Sequence, residues 1–180
     1  MAVALDLTKT PKAAFYDLLT KSTTALPDGA VFTDDDLTAT AITAVSGRDD
    51  GANTSVLLTP VSTSTLVYGE AKTVYYVRKD IASYNIEKAI TDDLSNWDAS
   101  HAAASALAYL VANFSSSMVA SDITVADPVT NVDETVSVGV TIVADHLTLF
   151  GNITLVITSS ETRLNTAEIP NTQDGFSAGS

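Results

Sequence analysis

Four places in this 180-residue chain hold side chains that can do chemistry. His101 stands three residues after Asp98, and a histidine beside a carboxylate is the usual pairing of a general base. His146 follows Asp145 at the entry to an apolar stretch. Asp34-Asp35-Asp36 and Asp49-Asp50-Gly51-Ala52-Asn53 gather the oxygen ligands that a hard cation such as calcium takes. Each has a plainer reading. His101 falls in the first turn of a predicted helix, whose field disfavours a proton on the ring. The two histidines lie 45 residues apart, with no cysteine and no His-x-x-x-His spacing, which gives no zinc signature. Neither acidic run carries the closing Glu of a twelve-residue calcium loop. Asp as a cap, and Asp-Gly with Asn as a turn, account for both, although the 49–53 loop stays open as a calcium candidate. Glycine-rich phosphate loops, the serine nucleophile elbow and the zinc-protease helix motif are absent. The expectation is a chain that is not an enzyme, with no catalytic residue, no cofactor and no metal.

The elements that would position these residues alternate between helix and sheet. Thr10-Pro11 reads as a helix start, with Thr10 capping free amides and Pro11 in the first turn, where its missing N–H costs nothing. Ala14, Phe15, Leu18 and Leu19 follow at helical spacing, to about Lys21. Leu37–Val45 and Ser55–Val61 read as a hairpin, and Leu66–Tyr68 with Thr73–Val77 as a second up-and-back pair. Tyr75 and Tyr76 are adjacent, so one should enter the core and the other face outward. Residues 80–94 fit a helix or a strand followed by a short helix. Asp98 or Ser100 caps a helix to about Phe114, and strands are expected at Asp122–Val125, Thr135–Val143 and Asn152–Thr158.

One order recurs along the chain. A helix, then Asp36-Leu37-Thr38, strands, Tyr68-Gly69 and Thr73–Val77 in the first half matches a helix, then Asp122-Ile123-Thr124, strands, Phe150-Gly151 and Ile153–Ile157 in the second. This predicts an α+β fold made of a duplicated module, one helix packed on a small, mostly antiparallel sheet. The expected divisions are an N-terminal arm (1–9), a first module (10–85), a second module (86–160) and a C-terminal arm (161–180), with both arms extended.

Composition narrows the partners. The net charge is -13, from 22 acidic and nine basic side chains, and the last 92 residues hold one basic residue, Arg163. Such a surface repels phosphate backbones and anionic lipid, so neither nucleic acid nor membrane is expected as a partner. The opening residues lack a basic stretch and read as no signal peptide, and no apolar run reaches the length of a bilayer span. Ser and Thr supply 43 residues and alternate with Val, Ile and Leu, a pattern of half-exposed sheet.

Three stretches together carry a likeness: Asn53-Thr54-Ser55-Val56-Leu57-Leu58-Thr59-Pro60, then Gly69 and Thr73-Val74-Tyr75-Tyr76-Val77-Arg78-Lys79-Asp80-Ile81, and finally Asn171-Thr172-Gln173-Asp174-Gly175-Phe176. The chain resembles small virion structural proteins of large (jumbo) tailed bacteriophages, of the capsid decoration or tail-associated type. The resemblance implies a component of the virion, assembled in the host cytoplasm. It would bind the major capsid protein or other virion structural proteins and make homo-oligomeric contacts. Tyr75, Tyr76, Tyr84, Arg163 and Phe176 are the residues expected at those contacts, and at least one terminus is expected to lie along a neighbouring subunit. The alternatives are a tail, neck or baseplate protein, or a tail-borne receptor- or glycan-binding module. An enzyme such as a glycosidase would need two carboxylates facing across a cleft.

Overall fold

A computed structural model describes residues 4–83, 89–94 and 97–160. The predicted contact residues Tyr84, Arg163 and Phe176 lie outside the described residues, as does the predicted C-terminal arm. The fold is mixed α+β, with two α-helices and antiparallel and mixed sheets among the described residues.

Helix α1 (Pro11–Ser22) starts as the sequence predicts, with the Thr10 side chain accepting from the Ala13 amide. Its Ala14, Phe15 and Tyr16 are buried. Three antiparallel strands follow: β1 (Leu37–Ala44), β2 (Thr54–Pro60) and β3 (Lys72–Tyr76), in the order β1-β2-β3. The predicted strand at Leu66–Tyr68 does not form. The Ser64 hydroxyl accepts from the Leu66 and Val67 amides, which folds this stretch into a turn and leaves Tyr68 almost wholly exposed.

Short strands β4 (Lys79–Asp80) and β5 (Ala89–Asp92) lead to helix α2 (Ala99–Asn113). Asp98 caps α2 by accepting from the Ser100 and His101 amides. Strands β6 (Ile123–Val125), β7 (Val129–Thr130), β8 (Val136–Ile142), β9 (Leu149–Phe150) and β10 (Asn152–Ser159) follow among the described residues. The second sheet runs β5-β10-β8-β6, with β7 also on β8. All pairs in it are antiparallel except β5 on β10.

The two halves share a frame down to single hydrogen bonds. Leu37 faces Pro60 in the first, and Ile123 faces Ile142 in the second. Thr54 faces Tyr76, and Val136 faces Ile157. In each half an aspartate just before the first strand closes the same turn. Asp36 accepts from the Thr33 amide at 3.1 Å and Asp122 from the Val119 amide at 2.9 Å. The carbonyls of the same two aspartates accept from Val61 and Val143 at 2.9 and 3.0 Å. Gly69 and Gly151, before β3 and β10, both have positive φ. At Gly151 a side chain would also collide with the Asp80 carboxylate.

Two buried clusters result. The first gathers Phe15, Tyr16, Phe32, Leu37, Val56, Leu58, Tyr76 and Leu147. The second is built on Ala102, Ala106 and Leu110 of α2 against the valines, isoleucines and leucine of β8 and β10. Residues 4–9 do not form the free arm that their sequence suggests. Leu5 packs on the first cluster and Leu7 on the second, while the Ser115 and Ser117 hydroxyls donate to the Leu7 and Lys9 carbonyls at 2.6 and 2.7 Å. Two leucines at alternate positions can each find a core because the two cores flank this stretch.

Candidate functional site

The residues with chemical potential do not converge. Asp98 uses its carboxylate on the cap, the Ser100 hydroxyl and His101 Nδ1 at 3.0 Å, and both partners of that His–Asp pair are exposed. These hydrogen bonds, the His101 amide foremost, hold the Asp98 carboxyl well below its usual range. Asp34 takes Lys12 at 2.8 Å and the Tyr16 hydroxyl at 2.9 Å, whereas Asp36 points the other way, to Thr33 and Ser64. Asp50 forms a two-point pair with Arg48 and accepts from the Ala52 amide. No group of three or more His, Cys, Asp or Glu is arranged to hold a metal among the described residues.

Sequence reasoning missed the group that joins the halves. Arg78 is 5% exposed and forms no ion pair with a carboxylate among the described residues. Its Nε donates to Thr54 Oγ1 at 2.9 Å, and its Nη1 donates to the His146 carbonyl at 2.9 Å and the Ala144 carbonyl at 3.2 Å. Asn53 brackets its backbone, accepting from the Arg78 amide and donating to the Arg78 carbonyl, each at 2.8 Å. Burial pulls the guanidinium pKa below its usual value, yet an arginine stays charged near neutral pH. The one signal in the sequence was a basic pair, Arg78-Lys79, directly after the run Val74-Tyr75-Tyr76-Val77.

Two further ties cross the same seam. The Tyr76 hydroxyl donates to the Leu147 carbonyl at 2.9 Å, and burial pushes its pKa up to about 12. Strand β4 pairs in parallel with β9, and the Lys79 amide donates to Thr148. His146 supports the loop from within. Its Nδ1 accepts from the Thr148 and Leu149 amides at 3.2 and 3.0 Å, which puts the ring proton on Nε2, buried and without a partner among the described residues. Burial, with Arg78 nearby, keeps this ring below the usual histidine pKa. A proton on Nδ1 would also face two amide donors.

Of the two adjacent tyrosines, Tyr76 enters the core and Tyr75 stays 46% exposed, with the Arg48 guanidinium 3.7 Å above its ring. Beside them lies an apolar cavity of about 630 Å³ between α1 and β3, lined by Leu18, Leu19, Val74, Tyr76, Val77 and Leu5. A second hollow of about 590 Å³ lies between α2 and β5, with Ile90, Ser105 and Tyr109 on its walls. The size and apolar lining of the first suit a binding cavity.

The model of a family of unknown function, DUF7941, matches residues 4–174. The chain belongs to DUF7941. The matched span includes both described helices, all three described sheets and the Arg78 seam, so the family is defined over the joined halves of this DUF7941 chain and not over one half. No curated protein and no solved structure matches it.

Proposed function

We propose that the protein is a non-enzymatic structural component of a bacteriophage virion, a capsid decoration or cement protein that binds neighbouring subunits and stabilises the shell. We read its two halves as copies of one module. The likeness to virion structural proteins noted in the sequence supports the first reading, and the shared strand registers and aspartate turns support the second.

The observation that carries the assembly reading is the surface of the second half. Residues 89–160 hold eight acidic side chains and no basic one. On that surface Val119, Val129, Val132 and Val156 are exposed, Val129 at 60% and Val132 fully. Asp127, Asp133 and Glu134 flank the two most exposed valines along the chain. Exposed valines flanked along the chain by one sign of charge fit a protein partner with basic side chains, and that charge repels nucleic acid. The partner of this kind is the major capsid protein or another virion subunit.

The test is composition of the particle. Mass spectrometry of purified virions should find the chain in many copies, and added pure protein should rebind particles stripped of it. Val132→Asp should weaken rebinding while leaving circular dichroism unchanged. Absence of the chain from purified particles, or rebinding indifferent to Val132→Asp and to Val129→Asp, would overturn the proposal.

A further inference from the structure

The turn that His146 braces has a twin in the first half. There Ser64 takes the place of the histidine. Its hydroxyl accepts from the Leu66 and Val67 amides, as His146 Nδ1 does from those of Thr148 and Leu149. The Ser64 amide donates to the Val61 carbonyl, and the His146 amide to that of Val143. Each turn then passes through an aliphatic and an aromatic residue, Val67-Tyr68 or Leu149-Phe150, into a glycine of positive φ. Residues 61–69 match residues 143–151 one for one.

The two turns differ in what lies on them. In the second half, residues 76–80 cover the turn. The Tyr76 hydroxyl takes the Leu147 carbonyl, Arg78 those of Ala144 and His146, and the Lys79 amide that of Thr148. Lys79 and Asp80 pair in parallel with Leu149 and Phe150, and the Arg78 guanidinium lies 5.4 Å from the centre of the Phe150 ring. In the first half the matching carbonyls belong to Ser62, Ser64, Thr65 and Leu66, and none accepts a hydrogen bond among the described residues. Tyr68, the counterpart of Phe150, is 98% exposed. The glycines carry the same contrast. A Cβ at Gly151 would run into the Asp80 carboxylate, whereas one at Gly69 would meet nothing within 4 Å.

We propose that residues 62–68 form a docking site for an extended, arginine-bearing segment of another protein. The segment pairs in parallel with Val67-Tyr68, as Lys79-Asp80 does with Leu149-Phe150. Its guanidinium donates to the Ser62 and Ser64 carbonyls and sits over the Tyr68 ring. A second copy of the chain is a poor occupant. Of the two described arginines, Arg78 is buried in the seam and Arg48 is held by Asp50. The net charge of -13 also sets copies against one another and favours a basic partner. The site stands apart from the virion reading, because the molecule's own seam is its template.

The seam also supplies the probe, a synthetic peptide with the sequence of residues 74–81. Titrated to millimolar concentration into the isotope-labelled full chain, it should shift the NMR signals of the amides of residues 64–69 and leave those of residues 146–151 in place. Arg78→Gln in the peptide should weaken binding roughly tenfold, the worth of a charge-assisted hydrogen bond. Tyr68→Ala in the chain should weaken it roughly threefold, on the scale of an exposed cation–π contact. Because that ring is exposed, circular dichroism should not change. No shift at residues 64–69, or equal binding by the two peptides, overturns the proposal. Shifts confined to residues 146–151 overturn it as well, by showing the peptide exchanging into the seam. Signals of residues 64–69 that move with chain concentration alone would give the site to a second copy and overturn it too.

Discussion

The first half of the molecule is packed with rings and the second with aliphatic side chains, yet the strands of both run in one register. Phe15, Tyr16, Phe32 and Tyr76 fill the first core. In the second, α2 presents Ala102 and Ala106, and β8 and β10 supply Val138, Val140, Ile153 and Leu155. What the halves keep in common is the polar scaffolding: the aspartate that closes the turn before the first strand, the amide that reaches back to its carbonyl, and the glycine of positive φ before the last strand. The halves also differ in how polar groups are satisfied, and that difference can be measured.

The largest effect should come from the group that belongs to both. Arg78→Met keeps most of the stem's volume but takes a donor from Thr54 Oγ1 and from the Ala144 and His146 carbonyls, leaving the Thr54 hydroxyl only its bond to Asn53. We expect a loss of about 3 kcal/mol, the scale for removing charge-assisted hydrogen bonds from a buried site. Urea denaturation should show one transition in the parent protein and in the variant. Two separate transitions in the parent would mean that the halves unfold as independent units and that the seam couples them weakly.

The twin aspartates give the next contrast. Asp36 accepts from the Thr33 amide, the Thr33 hydroxyl and the Ser64 hydroxyl, and the Ser64 bond holds its carboxyl below the usual range. Asp122 accepts from the Val119 amide. Asp36→Ala should therefore cost about 2 kcal/mol and Asp122→Ala about 1 kcal/mol, within the span measured for lost caps. Equal losses would show that the turn, and not the extra hydroxyl partners, sets the value. Tyr76→Phe, which removes one buried hydroxyl bond to Leu147, should cost about 1 kcal/mol by thermal melting.

Local patterns were legible in the sequence where a short-range rule fixes the outcome. Thr10-Pro11 and Asp98 mark helix starts by caps, alternation marks β8 and β10, and the Asp-aliphatic-Thr echo precedes a strand in each half. Leu66–Tyr68 was misread because two apolar residues beside an aromatic resemble a strand, while the Ser64 hydroxyl holds them in a turn. Residues 4–9 were misread as an arm because Leu5 and Leu7 are too few to show periodicity, and each is claimed by a different core. The seam was illegible for a related reason. Arg78 meets Ala144 and His146 across 66 and 68 residues, and no local spacing encodes such a meeting. His146 stood out in the sequence only as a histidine following Asp145 at the entry to an apolar stretch, and burial is what changes its chemistry.

That burial gives the smallest prediction and the most specific one for the seam. The folded His146 ring has a pKa below its unfolded value of about 6.5. Above that pH the ring is neutral in both states, and its contribution to stability is fully present. As pH falls through about 6.5 the unfolded chain binds a proton that the folded ring refuses, so stability declines by at most about 1.4 kcal/mol per pH unit. The paired carboxylates behave alike but lower down. Asp17, Asp34, Asp36 and Asp50 all sit below their ordinary value of 3.8, so their losses begin near that pH. His146→Asn offers a carbonyl oxygen to the Thr148 and Leu149 amides and cannot titrate. Melting temperature should fall in the parent as pH drops below about 6.5 and stay nearly level in the variant, until both decline together below about pH 4. Parallel curves throughout would place the neutral ring elsewhere than the seam and would remove His146 from the account of how the halves are joined.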